Sequence, residues 1–164
     1  MLIVDYLRRN AAEYGNDTAL VEINPAIKER RRVTWRDYDL IETTEPQAYR
    51  REITWSVFDE KANRFANLLM SRGIKKGDKV AILLMNCVEW LPLYFGILKC
   101  GALAVPLNFR YTAEEIRYCL NLADTTALVF GPEFIGRVEE VEPGLPSDFV
   151  LLYAGRDGPS FADD

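Results

Sequence analysis

Asn86 and Glu89 stand just beyond the apolar run Val80-Ala81-Ile82-Leu83-Leu84, where a strand of a parallel sheet would deliver them to its carboxyl edge. Open α/β sheets bind ligands at that edge, so a polar pair there is a candidate substrate contact. The same two residues, three apart, also have the spacing of a helix N-cap. Trp90, Tyr94 and Phe95 follow at helical spacing and would border an apolar pocket or simply fill core. Asn108, Phe109 and Arg110 follow a second apolar run ending at Pro106, and either line the same channel or close a turn. The candidate substrate-channel residues are therefore Asn86, Trp90, Asn108 and Arg110.

Other chemistry-bearing residues carry less. Cys87 near a helix start would have a lowered thiol pKa, but no base or second thiol adjoins it, and a structural role is the simpler reading. Arg30-Arg31-Arg32 would suit anionic phosphates or an anionic membrane, or be a solvated charged loop, which is the simpler reading. Gly155-Arg156-Asp157-Gly158 has an acid between its glycines and no helix after it, unlike a phosphate-binding loop. No catalytic residue and no metal ligand is assigned. The chain has no histidine, which excludes Ser-His-Asp hydrolysis and His-ligated zinc from these 164 residues.

The elements that would position these residues follow a regular spacing. Lys79–Leu84, Leu103–Pro106 and Ala127–Phe130 are strand-like and begin at residues 79, 103 and 127, with one helical pattern in each gap. That spacing reads as βαβ crossovers and a parallel sheet. Residues 2–13 predict a helix, and 18–23 a strand. A long helix is expected from a Ser56 cap with Asp59 at the capping-box position, its inner face being Phe58, Ala62, Phe65 and Leu69 and its end Gly73. Asn86 is expected to cap the next helix, although Pro92 then requires a late start or a kink. Thr112 and Glu115 form a further capping box, opening a helix with Ile116, Leu120 and Ala123 inward. Pro132 opens a short helix to about Glu142, 149–152 makes a last strand, and the tail from Asp157 is loop-like. Val33-Thr34-Trp35 returns as Ile53-Thr54-Trp55, and 31–38 and 48–55 are read as strands of a small antiparallel β element. The fold class is α/β: a parallel sheet of βα units with flanking helices, plus that antiparallel element.

Composition sets the outer limits. Half the residues are apolar and the net charge is −5, which argues against a nucleic-acid partner. Cys87, Cys100 and Cys119 have no CxxC spacing and read as reduced thiols of a cytoplasmic protein. The first residues do not read as a signal peptide, and the longest apolar stretch, 90–98, is too short for a transmembrane segment.

Asp78-Lys79-Val80-Ala81-Ile82-Leu83-Leu84-Met85-Asn86, then Gly101-Ala102-Leu103-Ala104-Val105-Pro106-Leu107-Asn108, then Thr112-Ala113-Glu114-Glu115-Ile116-Arg117-Tyr118, preceded by Ile53-Thr54-Trp55, carry the most specific signal. In this order they resemble the N-terminal subdomain of AMP-forming acyl-CoA synthetases, among the adenylate-forming ligases, over roughly 2–23 and 52–152. The resemblance implies that a carboxylate attacks the α-phosphate of ATP and that CoA then displaces AMP. It implies ATP, Mg and CoA for the full-length enzyme, with none bound to these residues alone. The family's phosphate loop, nucleotide-binding segment, hinge and catalytic lysine would all lie downstream. Residues 1–164 would be the N-terminal part of the AMP-binding domain, stopping before the phosphate loop, with 24–51 an inserted β excursion. The expected partners are the remainder of the same polypeptide, a small-molecule carboxylic acid (a fatty acid first) and CoA. The fragment alone is expected to be inactive, and to self-associate through an open sheet edge and an uncovered apolar face. Two alternatives are an adenylate-forming enzyme that loads a carrier-protein thiol, and a non-catalytic stand-alone binding module.

Overall fold

The computed structural model describes residues 2–23 and 50–163. They fall into two compact units, Met1–Asp59 and Glu60–Asp164. The predicted strand at 31–38, the first copy of the Val-Thr-Trp pattern and the Arg30–Arg32 cluster lie outside the described residues.

In the first unit, helix α1 (Ile3–Glu13) opens at Leu2, whose backbone N–H donates to Asp5 Oδ2 at 2.7 Å, and buries Leu7. Strand β1 (Thr18–Ile23) pairs antiparallel with β2 (Arg50–Thr54). The antiparallel element thus includes the 18–23 strand, paired with the second Ile-Thr-Trp copy. Their pairing runs from Thr18 opposite Thr54 to Ile23 opposite Arg50. Helix α2 (Trp55–Ser71) begins two residues earlier than expected. Thr54, still extended as the last residue of β2, accepts the Val57 N–H on its Oγ1 at 3.3 Å and takes the capping place predicted for Ser56. Ser56 instead donates its backbone N–H to Gly15 O at 3.0 Å.

Because Ile23 faces Arg50, residues 24–49 leave and rejoin the first unit at one hydrogen-bonded strand end. Replacing them with Asn-Gly supplies the two-residue turn that such a hairpin favours, and shortening a loop of this size changes its closure cost by only about 1–3 kcal/mol. The expected outcome is a melting temperature within a few degrees of the parent. Loss of the cooperative transition on this replacement would show that the segment is core.

The second unit is built on a four-stranded parallel sheet of β3 (Lys79–Leu83), β4 (Leu103–Pro106), β5 (Ala127–Phe130) and β6 (Val150–Tyr153), in the order β4-β3-β5-β6. The last strand lies one residue later than predicted. Both faces are covered, so inward residues alternate between two cores. Val80, Ile82, Leu84, Ala127, Val129 and Leu152 face Phe65 and Leu69 of α2 and Ile97 of α3 (Trp90–Lys99). Ala81, Leu83, Leu128, Phe130, Leu151 and Tyr153 face Ile116 and Leu120 of α4 (Ala113–Leu122), and Val138 and Val141 of α5 (Ile135–Val141). The predicted inner face of α2 is buried at Phe58, Ala62, Phe65 and Leu69, and Gly73 ends the helix region at φ +86°, where an L side chain is disfavoured.

The Thr112–Glu115 capping box is present. Thr112 Oγ1 accepts the Glu115 N–H at 3.3 Å, while Glu115 Oε2 accepts the Thr112 N–H at 2.8 Å. Those hydrogen bonds from Thr112 hold the Glu115 carboxyl below its usual pKa. Asn86 is not a cap. Helix α3 starts at Trp90 with Glu89 in the flanking position, which places Pro92 in the first turn, where the backbone N–H has no intrahelical partner to lose. The tail is irregular but returns to the sheet: Asp163 bridges to Leu152, Tyr153 N–H donates to Asp163 O at 2.7 Å, and Asp163 N–H donates to Leu151 O at 3.0 Å. Phe161 stacks on Phe130 with ring centroids 6.1 Å apart.

Candidate functional site

The order β4-β3-β5-β6 places a topological switch between β3 and β5. From β3 the chain crosses to one side to form β4, and then returns past β3 to form β5 and β6 on the other. Crevices at such points, outside the carboxyl ends of the strands, are the usual ligand position in open α/β sheets. Here the two strand ends are held together by the Gly131 N–H donating to Leu83 O at 3.1 Å. A Cβ on Gly131 would lie 2.9 Å from Leu84 Cδ2 and 3.0 Å from Glu133 Oε2, so glycine permits this close approach.

Asn86 lies in the segment that leaves β3 at this edge and is exposed. Val88, beside it, is buried and anchors the segment. Trp90 is half-buried at the first turn of α3. Its ring stacks on Tyr94, with centroids 5.4 Å apart, and both pack against the core shared by α2, α3 and the sheet. Cys87 is no nucleophile: burial first, and then the neighbouring Glu89 carboxylate, push its thiol up to about 11.

Beyond β4 the chain continues at the same edge as a short arm that turns at 109–110. Leu107, Phe109 and Tyr111 turn inward against the second core, whereas Asn108 and Arg110 are exposed between them. Asn108 Oδ1 accepts the Arg110 N–H at 2.9 Å and Asn108 O accepts the Tyr111 N–H at 3.0 Å, so the turn chemistry expected after Pro106 is present. Arg110 lies over the Phe109 ring at 5.3 Å. The structure thus brings Asn86, Trp90, Asn108 and Arg110 to the carboxyl ends of two adjacent strands. Arg137 of α5, which no sequence pattern singled out, also reaches this arm: its Nη1 donates to Phe109 O at 2.7 Å and Tyr111 O at 2.9 Å. A link across more than twenty-five residues leaves no periodic trace in a sequence.

Two further features bear on nucleotide chemistry. The Gly155–Gly158 stretch follows β6 as a bend, and among the described residues, which run to 163, no helix follows it. Lys79 begins β3 at the opposite, amino edge and pairs with Asp124 at 2.9 Å. Among the described residues, no group of three or more Cys, Asp or Glu could hold a metal ion, and no helix is long and apolar enough to cross a membrane. The described residues thus include no all-protein cage for Mg.

Residues 7–155 match the family model for AMP-binding enzymes. The chain is 39% identical over 101 residues to the medium/long-chain-fatty-acid–CoA/3-oxocholest-4-en-26-oate–CoA ligase of Mycolicibacterium smegmatis, covering 62% of this chain and 18% of that one. It is 38% identical over 94 residues to the crotonobetaine/carnitine–CoA ligase of Salmonella paratyphi A, covering 57% of this chain and 18% of that one. Its fold is similar to the crystal structure of the anthranilate CoA ligase AuaEII in complex with anthranoyl-AMP, with a TM-score of 0.72 and 28% identity over 93% of this chain and 24% of that one. The chain spans 18% of the length of these two curated relatives.

Proposed function

The chain belongs to the AMP-binding enzyme family, and on that premise we propose that it is the N-terminal part of an ATP-dependent, AMP-forming fatty acid–CoA ligase. In this reaction a carboxylate oxygen attacks the α-phosphorus of ATP and pyrophosphate leaves. The CoA thiol then attacks the acyl carbon of the mixed anhydride, and AMP leaves. The observation that carries the reading is the match across residues 7–155, supported by three ligase relatives named for different acids. The fatty acid follows the first of these. The three unpaired cysteines suit a reducing compartment, the cytoplasm.

On this reading Asn86, Trp90, Asn108 and Arg110 border the substrate channel at the carboxyl edge of the sheet, and residues 24–51 are an insertion. The residues present here position substrate and exclude water, while the phosphate-binding and catalytic groups come from the remainder of the polypeptide. Acyl-adenylate formation requires backbone N–H groups cradling phosphates and a cation beside the developing charge. The sequence has no Gly-rich stretch arranged for the first, and Lys79 lies at the amino edge, away from the second.

The test compares this chain with its full-length form. The chain alone is expected to give no ATP–pyrophosphate exchange above a blank and no calorimetric heat with Mg-ATP. The full-length form is expected to exchange with a medium- or long-chain fatty acid and to release the acyl-CoA. Micromolar Mg-ATP binding by the chain alone would overturn the assignment of catalysis to the remainder. A full-length form that transferred its acyl group only to a carrier-protein thiol would replace CoA as the acceptor.

A further inference from the structure

The geometry points to Arg137 as a positioning residue that sets where Asn108 and Arg110 stand in the substrate channel. The inference rests on the channel reading above and extends it to a residue one crossover away. From Leu107 to Tyr111 the arm alternates: residues 107, 109 and 111 are half-buried, and 108 and 110 are exposed. Phe109 and Arg110 are the corner of a turn closed on Asn108, so fixing the backbone of the inward residues on either side fixes the direction of the outward ones. The inward residues are fixed twice. Leu107 N–H donates to Ile82 O of β3 at 2.9 Å, which ties the start of the arm to the sheet. Arg137 Nη1 donates to the carbonyls of Phe109 and Tyr111, which flank Arg110 in the chain.

Arg137 is itself held. It is half-buried on α5, with its guanidinium over the Phe134 ring at 5.3 Å, and α5 packs on the sheet through Val138 and Val141. A delocalised guanidinium stacked on an aromatic ring keeps its donors in one plane, and hydrogen bonds from a charged donor are stronger than neutral ones. The two carbonyls are thereby drawn to one nitrogen, and the peptide of Arg110 between them has little freedom to rotate. Without this cation the arm keeps its tie at Leu107 and the turn at Asn108, but the carbonyls on either side of Arg110 lose their charged donor. The defect expected is therefore one of substrate placement. Misplacing a substrate-contacting group by about 1 Å costs on the order of 100-fold in rate or affinity.

The experiment is a double-mutant cycle in the full-length enzyme, with KM measured separately for ATP, octanoate and CoA. Arg110→Ala is expected to raise one of these KM values. Arg137→Ala is expected to raise the same one by about tenfold with kcat held, and Arg137→Lys, which keeps a cationic donor, to recover most of the loss. The double variant is expected to be no worse than the worse single variant, because both act through one side chain. If Arg137→Ala is insoluble, the same cycle is run with Arg137→Gln, which is shorter and neutral. Effects that multiply, or a fall in kcat or active fraction at unchanged KM, would show that Arg137 only supports the fold and would overturn the inference. If Arg110→Ala and Asn108→Ala leave all three KM values unchanged, the channel reading itself fails, and the inference with it.

Discussion

Gly96→Val is expected to remove about 3 kcal/mol or more of stability, read as a lowered urea midpoint at unchanged slope. Gly96 is buried in α3 where that helix crosses α2. A Cβ there would lie 2.8 Å from Phe65 Cδ1 and 2.9 Å from the backbone oxygen of Ala62. The Phe65 ring is itself buried, and a backbone oxygen inside a helix cannot turn aside. Both helices would have to separate, and the separation would open the core that they share with the sheet. Gly96→Ala is the informative control. Alanine favours a helix over glycine by about 1 kcal/mol, and the overpacking it introduces here costs about 1–3 kcal/mol. The net result is expected to be destabilisation. An alanine variant more stable than the parent by the full propensity gain would show that the helices are not in close contact at this position.

Phe130→Ala is expected to cost about 3–5 kcal/mol, a large share of the roughly 5–15 kcal/mol that holds a folded domain. Phe130 is fully buried at the end of β5, packed edge-on to Tyr153 at 5.6 Å and stacked on Phe161. Truncation leaves a cavity that β5, hydrogen-bonded on both sides, cannot collapse to fill. Phe161→Ala gives a second readout, because Phe161 is half-exposed on the returning tail and its loss is expected to cost clearly less. Equal losses at the two positions would mean that the tail, rather than the strand, organises this core.

The parallel sheet was legible because its signals are local and repeated. Consecutive apolar residues at 80–84 and 127–130, 3.6-residue spacing in 58–69 and the Thr112–Glu115 pair each follow from burial or capping within one element. The sequence misled where two local rules competed. Thr54 and Ser56 are both good caps, and the choice fell to Thr54 because β2 keeps it extended. Asn86 has the chemistry of a cap, yet a helix begun there would carry Pro92 in its interior, so the start moved to Trp90. For the candidate site, the edge occupied by Asn86, Asn108 and Arg110 followed from strand direction. The grip of Arg137 and the return of Phe161 and Asp163 to the sheet did not, since both are long-range contacts made by residues outside any periodic pattern.

The hydrogen bonds of β4 also decide what the sheet can accept from outside. Leu103 N–H donates to Asp78 O and Leu107 N–H to Ile82 O, so the odd-numbered residues of this strand face β3 and the even-numbered ones face away. The outward residues are Ala104 and Pro106, and proline has no N–H to give. At the other border, the outward carbonyl of Leu151 and the outward N–H of Tyr153 are both taken by Asp163. A foreign strand would find one free donor at the first border and its two best contacts already used at the second, which is how natural sheets resist templating by a neighbour. The exposed Tyr118 and Leu122 of α4, by contrast, leave large apolar side chains open to solvent beside this sheet.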